Sequence, residues 1–288
     1  MIPSMNIIAW ANVAPWAEQR QIEQDLIISR ALIELFSDEF LKVELRFRGG
    51  TALNKLHFPE PLRYSEDIDL VRTTEGPIKD LLSRVCEVLE PWLGKAAFDR
   101  SRIAPKLIFR APAEDGGVDL RLKVEINIFE TTLYDQPKEF AHEVENPWFS
   151  GQATLPSFSN EEMIATKLRA LLQRDKGRDL FDLSHALSVL NGLDVEYVAA
   201  LFGQYLKAQD LRISRAQAEE RMLAKLASPG FLSDVRPLLA AEHAERMTDE
   251  TMKAAFADVF TRLVGSLPGD PWARTDAMIE RFGIDVSR

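Results

Sequence analysis

Residues 47–70 constrain this chain more than any other segment: FRGGTALNKLHFPEPLRYSEDIDL. Alternating apolar and charged residues from Val43 predict a half-buried strand that Gly49-Gly50 ends, and TALNKLH predicts a short helix. A second predicted strand opens with Asp67-Ile-Asp69. Residues two apart on a strand point to the same face, so Asp67 and Asp69 project together. The segment therefore predicts a strand, turn, helix and strand that present a pair of carboxylates.

Paired carboxylates favour a bound cation. Two adjacent carboxylates repel each other, so one has a raised pKa unless a cation joins them or water solvates them. Mg²⁺ or Mn²⁺ removes this conflict, because such hard cations take oxygen ligands and keep positions open for phosphates. A third carboxylate, Glu125, lies on the polar face of a predicted strand at 119–129. If that strand pairs with the one carrying Asp67 and Asp69, three carboxylates can hold two cations for phosphoryl transfer.

The residues around the Gly-Gly pair are suited to binding phosphate. Gly49 and Gly50 lack a Cβ, so their backbone can approach an anion closely. Thr51 is the predicted start of a helix, whose N-terminus favours phosphate. Ser65 adds a hydroxyl two residues before the first aspartate. Lys55, one turn after Thr51, has two open interpretations: it contacts phosphate or only solvates its helix.

Composition excludes several classes of protein. The 45 acidic and 35 basic residues give a formal charge of −10, which disfavours a sequence-independent nucleic-acid coat. The one cysteine, Cys86, excludes an intrachain disulfide and a Cys-rich zinc site. The N-terminus is not a convincing signal peptide, and no apolar run approaches the roughly 18 residues of a membrane span. We therefore expect a cytoplasmic protein.

The pattern changes along the chain from mixed to helical, which predicts an α+β protein. The first half contains the strands above, a KLIFRA strand, and amphipathic helices at 16–36 and 77–93. We assign 1–150 to a mixed-sheet core with an N-terminal helix and 151–288 to a helical domain. The predicted helices of that domain are a long one from Ser159 to about 190, and those at 195–208, 214–227, 234–246, 249–265 and 271–282.

Four short motifs together resemble one known family. The GGT sequence at 49–51, followed by RYSEDIDL at 63–70, resembles the signature of the AbiEii-type nucleotidyltransferase toxins, which include the MenT toxins. These belong to the DNA polymerase β-like nucleotidyltransferase superfamily. KLRAL at 167–171 and KGRDLFDL at 176–183 are similar to the family's Lys motif and R-D-x-x-D-L motif. The resemblance covers roughly residues 30–190.

The resemblance implies a polymerase β-like core followed by a helical domain that closes the active-site cleft. The implied reaction transfers a nucleoside monophosphate from an NTP to an acceptor hydroxyl and releases pyrophosphate. Asp67 and Asp69 would bind Mg²⁺, and Glu125 would complete the site and help deprotonate the acceptor. The β and γ phosphates would lie against Gly50, Thr51 and Ser65.

The second pair of motifs has a functional and a structural interpretation. Asp179 and Asp182 are three residues apart, so they share a helix face, and Lys167 lies nearby in sequence. The structural interpretation is a solvated helix with ordinary ion pairs. The resemblance favours a Lys167 that projects onto the triphosphate, with Asp179 or Asp182 orienting Lys167 or contacting the nucleotide.

The resemblance also implies partners. The protein would be the toxin of a toxin–antitoxin or phage-defence pair. The acceptor would be RNA, with the tRNA 3′ end favoured, and the partner a separately encoded antitoxin, often a winged-helix repressor. An acidic chain needs local basic residues to bind RNA. The candidates are Arg100, Arg102, Lys106, Arg110, Arg169, Arg174, Lys176 and Arg178.

Two alternatives stay open. The first is a nucleotidyltransferase whose acceptor is a hydroxyl of a small molecule or a protein, which the acidic composition modestly favours. The second is a nucleotide-binding or antitoxin-docking module without turnover.

Overall fold

The structure is a computed structural model that describes residues 1–99, 101, 103–228 and 230–286. Arg100 and Arg102, two of the basic residues considered for RNA binding, therefore lie outside the described residues. The chain divides into two compact units, Met1–Ser159 and Asn160–Arg288. Among the described helices, none combines the length and apolar character that crossing a membrane requires.

The first unit is built on one mixed sheet, which confirms the predicted α+β class. Its described strands are β1 Leu45–Arg48, β2 Asp67–Arg72, β3 Ala97–Asp99, β4 Lys106–Ala111, β5 Leu120–Asn127, β6 Lys138–Asn146 and β7 Phe149–Ser157. The order across the sheet is β3-β4-β5-β2-β1-β7-β6. β2 is parallel to β5 and antiparallel to β1, while β1 is parallel to β7.

Apolar residues on β2 and β5 fix which face of the sheet is buried. Ile68 on β2 and Val124 and Ile126 on β5 are fully buried, whereas the residues between them are partly exposed. Because strand side chains alternate between faces, the acidic residues of both strands lie together on the opposite face. The core therefore orients the carboxylates.

Five helices accompany the sheet in the described part of the first unit. They are α1 Ser4–Trp10, α2 Gln19–Ser37, α3 Glu39–Glu44, α4 Gly49–Ala52, which continues as a π-helical segment Leu53–His57, and α5 Ile78–Leu93. The prediction that the first strand starts at Val43 is wrong. The Asp38 carboxylate accepts the Leu41 N–H at 3.0 Å and so caps α3, which keeps the chain helical as far as Glu44.

A long hairpin, β6–β7, completes the unit, although no strand is predicted for residues 138–157. β7 joins the sheet beside β1, where the Ser157 hydroxyl donates to the Phe47 carbonyl at 2.7 Å. The boundary placed between residues 150 and 151 lies inside β7, and the compact unit ends at Ser159.

The second unit is helical. Its described helices are α6 Asn160–Gln173, α7 Gly177–Val189, α8 Val195–Lys207, α9 Arg215–Lys225, α10 Ala241–Arg246, α11 Asp249–Val259 with a π-helical continuation Phe260–Val264, and α12 Thr275–Phe282, besides a 3₁₀ turn Arg236–Leu238. The long helix predicted to run to about residue 190 is two helices. The Asp234 carboxylate accepts the Arg178 N–H at 3.0 Å, which starts α7 as a separate helix.

Candidate active site

The predicted pairing of the two acidic strands is present. In the parallel β2–β5 pair, Asp67 lies opposite Lys123 and Asp69 lies opposite Glu125. All four are odd-numbered residues on the face away from the buried set. The three carboxylates chosen from the sequence therefore lie on neighbouring strands and on one face.

A lysine lies between two of these carboxylates. The Lys123 ammonium nitrogen is 2.9 Å from Asp67 Oδ2 and 3.2 Å from Glu125 Oε2. Lys106 on β4 lies 3.8 Å from the same Glu125 oxygen. Burial alone would lower the pKa of Lys123, but the hydrogen bond to Asp67 and the surrounding negative charges raise it. The Lys123 side chain is therefore protonated at neutral pH and places a positive charge between the carboxylates.

Asp69 lies against the start of α4. Burial and the neighbouring Asp67 charge raise the pKa of Asp69 to about 6. Gly49 has φ +84°, and a Cβ at this position would overlap the Asp69 carboxylate. The Gly-Gly pair forms the first residues of the helix rather than a turn before Thr51, so the helix begins two residues earlier than predicted. Only glycine allows both the backbone angle and this contact.

Hydroxyl groups tie the helix to β2. Thr51 is buried, and its Oγ1 donates to the Asp67 carbonyl oxygen. The Ser65 hydroxyl lies 2.8 Å from Thr51 Oγ1. Since a threonine hydroxyl has one hydrogen, Ser65 is the donor in this second contact. The Cβ of an alanine at Gly50 would lie 2.6 Å from the Arg63 guanidinium, so this glycine gives Arg63 its place beside the backbone.

Lys55 is held by α2. Its ammonium lies 2.8 Å from Asp25 Oδ1 and 2.9 Å from Ser29 Oγ. These residues line a cavity of about 200 Å³ together with Thr51 and Ser65. The ammonium of Lys55 therefore already has two partners within its own unit. Its role in binding phosphate stays a prediction.

The carboxylates fit a divalent cation by chemistry and by charge. No set of three or more His, Cys, Asp or Glu side chains is arranged as a ready-made metal site within the described parts of the chain. The three acids supply the hard oxygen donors that Mg²⁺ and Mn²⁺ prefer. The ammonium of Lys123 already lies between Asp67 and Glu125, which shows that positive charge is favoured there.

The second unit contains a separate buried ion cluster. The Lys167 ammonium lies 2.9 Å from Asp182 Oδ2 and 3.3 Å from Asp179 Oδ1, and the guanidinium of Arg174 binds Asp179 at 2.7 and 2.9 Å. The Lys167 side chain is 6% exposed and both aspartates are fully buried. The sequence therefore identified a genuine cluster, while its contact with nucleotide stays a prediction.

The charges around Asp179 determine its protonation. Burial alone would raise the pKa of Asp179, but Lys167 and Arg174 outweigh it and hold the pKa at about 2. Both aspartates of the motif lie on the same side of α7, as their spacing predicts.

Two residues of the first cluster have no role in the sequence-based interpretation. Lys123 and Glu125 are two residues apart on β5, so the sequence alone is sufficient to place both side chains on the same face. Arg63 is part of the quoted motif, but only the structure brings its guanidinium to the backbone at Gly50. Its burial could not be read from the sequence.

The basic residues considered for RNA binding have different environments. Lys106 is partly exposed and Arg110 is exposed on β4. Arg169 is buried and lies over the Tyr205 ring, so it is unsuited to binding RNA at the surface. Arg174 is 52% exposed but is bound to Asp179.

Comparison with known proteins identifies the family. The family model described as "Nucleotidyl transferase AbiEii toxin, Type IV TA system" matches residues 30–278. None of the curated proteins compared with the chain matches it. Among solved structures, MenT4, a nucleotidyltransferase toxin of Mycobacterium tuberculosis H37Rv, is 19% identical over 99% of both chains, with a TM-score of 0.60. JHP933 from Helicobacter pylori is 18% identical over 93% of this chain and 98% of that one, with a TM-score of 0.50.

At identities of 18–19% the solved structures show only that the fold is shared. The family assignment rests on the family model. The match spans most of the chain, including both acidic clusters. The chain belongs to the AbiEii family of nucleotidyltransferase toxins of type IV toxin–antitoxin systems.

Proposed function

We propose that this nucleotidyltransferase transfers a nucleoside monophosphate from an NTP to an RNA hydroxyl, with the tRNA 3′ end as the favoured acceptor and Mg²⁺ or Mn²⁺ as the metal. Nucleotidyltransferases of this family generally use an NTP and a divalent metal. The observation that carries the proposal is the placement of Asp67, Asp69 and Glu125 on one face of two paired strands.

The proposed ligands of the metal are Asp67, Asp69 and Glu125. A bound divalent cation supplies charge that stabilises the attacking and leaving oxygens of the phosphoryl transfer. Glu125 completes the site and helps to deprotonate the acceptor hydroxyl. Thr51 is held by its own hydrogen bonds, so it fixes the backbone that receives phosphate. Ser65 donates its one hydroxyl hydrogen to Thr51 in the structure and would turn it to the β or γ phosphate when the NTP binds.

Backbone and charge complete the proposed phosphate site. Gly49 and Gly50 carry no Cβ, so a phosphate could approach their backbone N–H groups closely. We assign Lys167 a supporting charge on the triphosphate and Asp179 and Asp182 the task of orienting it. This part of the proposal rests on the family motif.

The proposed biological partners are an antitoxin and RNA. Type IV toxin–antitoxin family membership supports an antitoxin partner, and we assign it to a separately encoded winged-helix repressor. RNA binding would rest on the partly exposed and exposed basic residues, Lys106 and Arg110 among them.

The experiment that tests this function identifies the labelled product. The full chain is incubated with Mg²⁺, each of the four α-labelled NTPs, and either total RNA, a protein fraction or small metabolites. We expect label in the tRNA band with at least one NTP. Label confined to protein or to small molecules would support the alternative acceptors, and absence of label from RNA with every NTP would refute the RNA proposal.

A pair of matched variants separates chemistry from binding. Asp69→Asn removes a proposed metal ligand, whereas Asp119→Asn makes the same change at an exposed residue before β5. We expect Asp69→Asn to lose labelling and growth inhibition, and Asp119→Asn to keep both. Equal growth inhibition by the wild type and Asp69→Asn would show that metal-dependent transfer is not the cause.

A further inference from the structure

We infer that Lys123 is a resident counter-ion that occupies one of the two cation positions of the acidic cluster, so that a second divalent cation must displace it. This inference rests on the proposed function, because it concerns the same carboxylates. It assigns a positioning role to a residue outside the proposed metal ligands.

The position of the ammonium carries the inference. Its nitrogen is 2.9 Å from Asp67 and 3.2 Å from Glu125, and it bridges the two carboxylates across the strand pair. A divalent cation bound between these same oxygens would need this space. The side chain is 20% exposed and its carboxylate partners are 32% and 28% exposed, so the ammonium can withdraw towards solvent without unfolding the sheet.

The three carboxylates offer two distinct places for a cation. Asp67 and Asp69 are two apart on β2 and share one face. Asp67 and Glu125 lie diagonally across the β2–β5 pair, because Asp67 is opposite Lys123 and Glu125 is opposite Asp69. Lys123 bonds to the second pair. The place between Asp67 and Asp69 therefore fills first, and the place between Asp67 and Glu125 stays closed to metal while Lys123 is there.

Charge explains why the resident lysine matters. The three carboxylates carry three negative charges in their ionised form, and Lys123 neutralises one of them. A positive charge within a few ångströms opposes a second cation strongly at a partly buried site. A triphosphate bound nearby adds negative charge and offers the ammonium another partner. Lys123 thus holds the cluster together before substrate arrives and makes loading of the second cation depend on substrate.

The test measures direct binding of Mn²⁺ by the full chain in the absence of nucleotide. Electron paramagnetic resonance of free Mn²⁺ gives the number and affinity of bound ions for the wild type and for Lys123→Gln. We expect one stronger and one weaker ion in the wild type. In Lys123→Gln we expect the weaker ion to bind at least about tenfold more tightly, because the competing charge is gone.

Two control variants separate displacement from a general change in charge. Lys106→Gln removes a neighbouring positive charge that lies 3.8 Å from Glu125 without bridging the pair. We expect it to change the affinity for the weaker ion by less than about threefold, because Lys106 is more exposed than Lys123 and solvent screens its charge more strongly. Lys123→Arg keeps the charge, so its affinity for the weaker ion should stay near that of the wild type. Circular dichroism shows whether each variant is folded.

The outcomes distinguish this inference from the proposed function. If Lys123→Gln binds the weaker ion no better than the wild type, or if Lys106→Gln gains as much, Lys123 is not a competing counter-ion. If the wild type binds Mn²⁺ and Asp69→Asn does not, the metal site stands whatever the result for Lys123. If the wild type binds no Mn²⁺ above the level of Asp69→Asn, the proposed metal site and the role of Lys123 both fail.

Discussion

Replacing Lys167 with methionine should destabilise the second unit strongly. The change removes the cation from a cluster in which the lysine is 6% exposed and its partners Asp179 and Asp182 are fully buried. Removing one member of a buried ion pair costs about 3–5 kcal/mol, because a buried charge is left without its partner. Arg174 still binds Asp179 through two nitrogens, so we expect the lower end, about 3 kcal/mol.

The cost of the substitution should depend on pH. The folded pKa of Asp179, about 2, lies below its ordinary value of 3.8. Its ionised form therefore contributes about 2 kcal/mol to the wild type above pH 3.8, and this contribution is lost as pH falls towards 2. Without Lys167 the folded pKa rises towards the ordinary value. The difference in unfolding free energy between wild type and Lys167→Met should therefore narrow below about pH 4.

Urea unfolding followed by circular dichroism, from pH 7 down to pH 3, measures this difference. Hydrogen exchange in peptides from α6 and α7 assigns the loss to the second unit. Lys207→Met, at an exposed lysine ending α8, is the matched control and should stay within about 0.5 kcal/mol of wild type. A loss of unfolding free energy below about 1 kcal/mol that does not vary with pH would contradict the stabilising role of the ion pairs that Lys167 makes with Asp179 and Asp182.

Three further predictions concern the backbone and one partly exposed histidine. Gly49→Ala should lose Mn²⁺ binding and about 1–2 kcal/mol of stability, whereas Gly94→Ala, with a similar φ of +80° and open space, should lose stability alone in the same unfolding and binding assays. Gly177→Ala places a methyl group against a backbone carbonyl and should cost at least about 2 kcal/mol in urea unfolding, while Gly203→Ala meets open space in α8 and should gain up to about 1 kcal/mol. Burial and a nearby lysine lower the pKa of His142 to about 4. The neutral side chain therefore makes its full contribution to the free energy of unfolding above pH 6.5, and this contribution is lost as the pH falls towards 4. In the wild type this loss amounts to about 2 kcal/mol between pH 7 and pH 5, and His142→Phe should reduce it. If urea unfolding of His142→Phe depends on pH as the wild type does, the prediction is wrong.

The acidic cluster was predictable because it depends on local periodicity. The spacing of Asp67 and Asp69 fixes their common face once the segment is a strand, and the apolar residues of β5 fix the face of Glu125 in the same way. The one non-local step was the pairing of β2 with β5, and the structure contains it. The assignment of each carboxylate to a face needs only the alternation of a strand and a buried core.

The hairpin and the helix boundaries were less predictable because other contacts decide them. The β6 sequence carries polar residues on both faces, so its strand pairs with β7 without showing a clear alternation. The break between α6 and α7 depends on Asp234, which is distant in sequence from the helix that it caps. Such contacts are tertiary, and local propensity does not contain them.

Lysine partners show where sequence patterns stop being sufficient. Lys55, Lys123 and Lys167 all fall in or beside motifs, and each could have been assigned to a phosphate by charge alone. Each ammonium instead binds carboxylates of its own unit: Lys55 binds Asp25, and the other two bridge pairs of acids. A lysine that already neutralises a carboxylate must exchange that partner before it serves a triphosphate, and the free energy of the exchange subtracts from nucleotide binding. Charge in a motif therefore locates a site, while the partners of that charge determine how readily the site accepts a ligand.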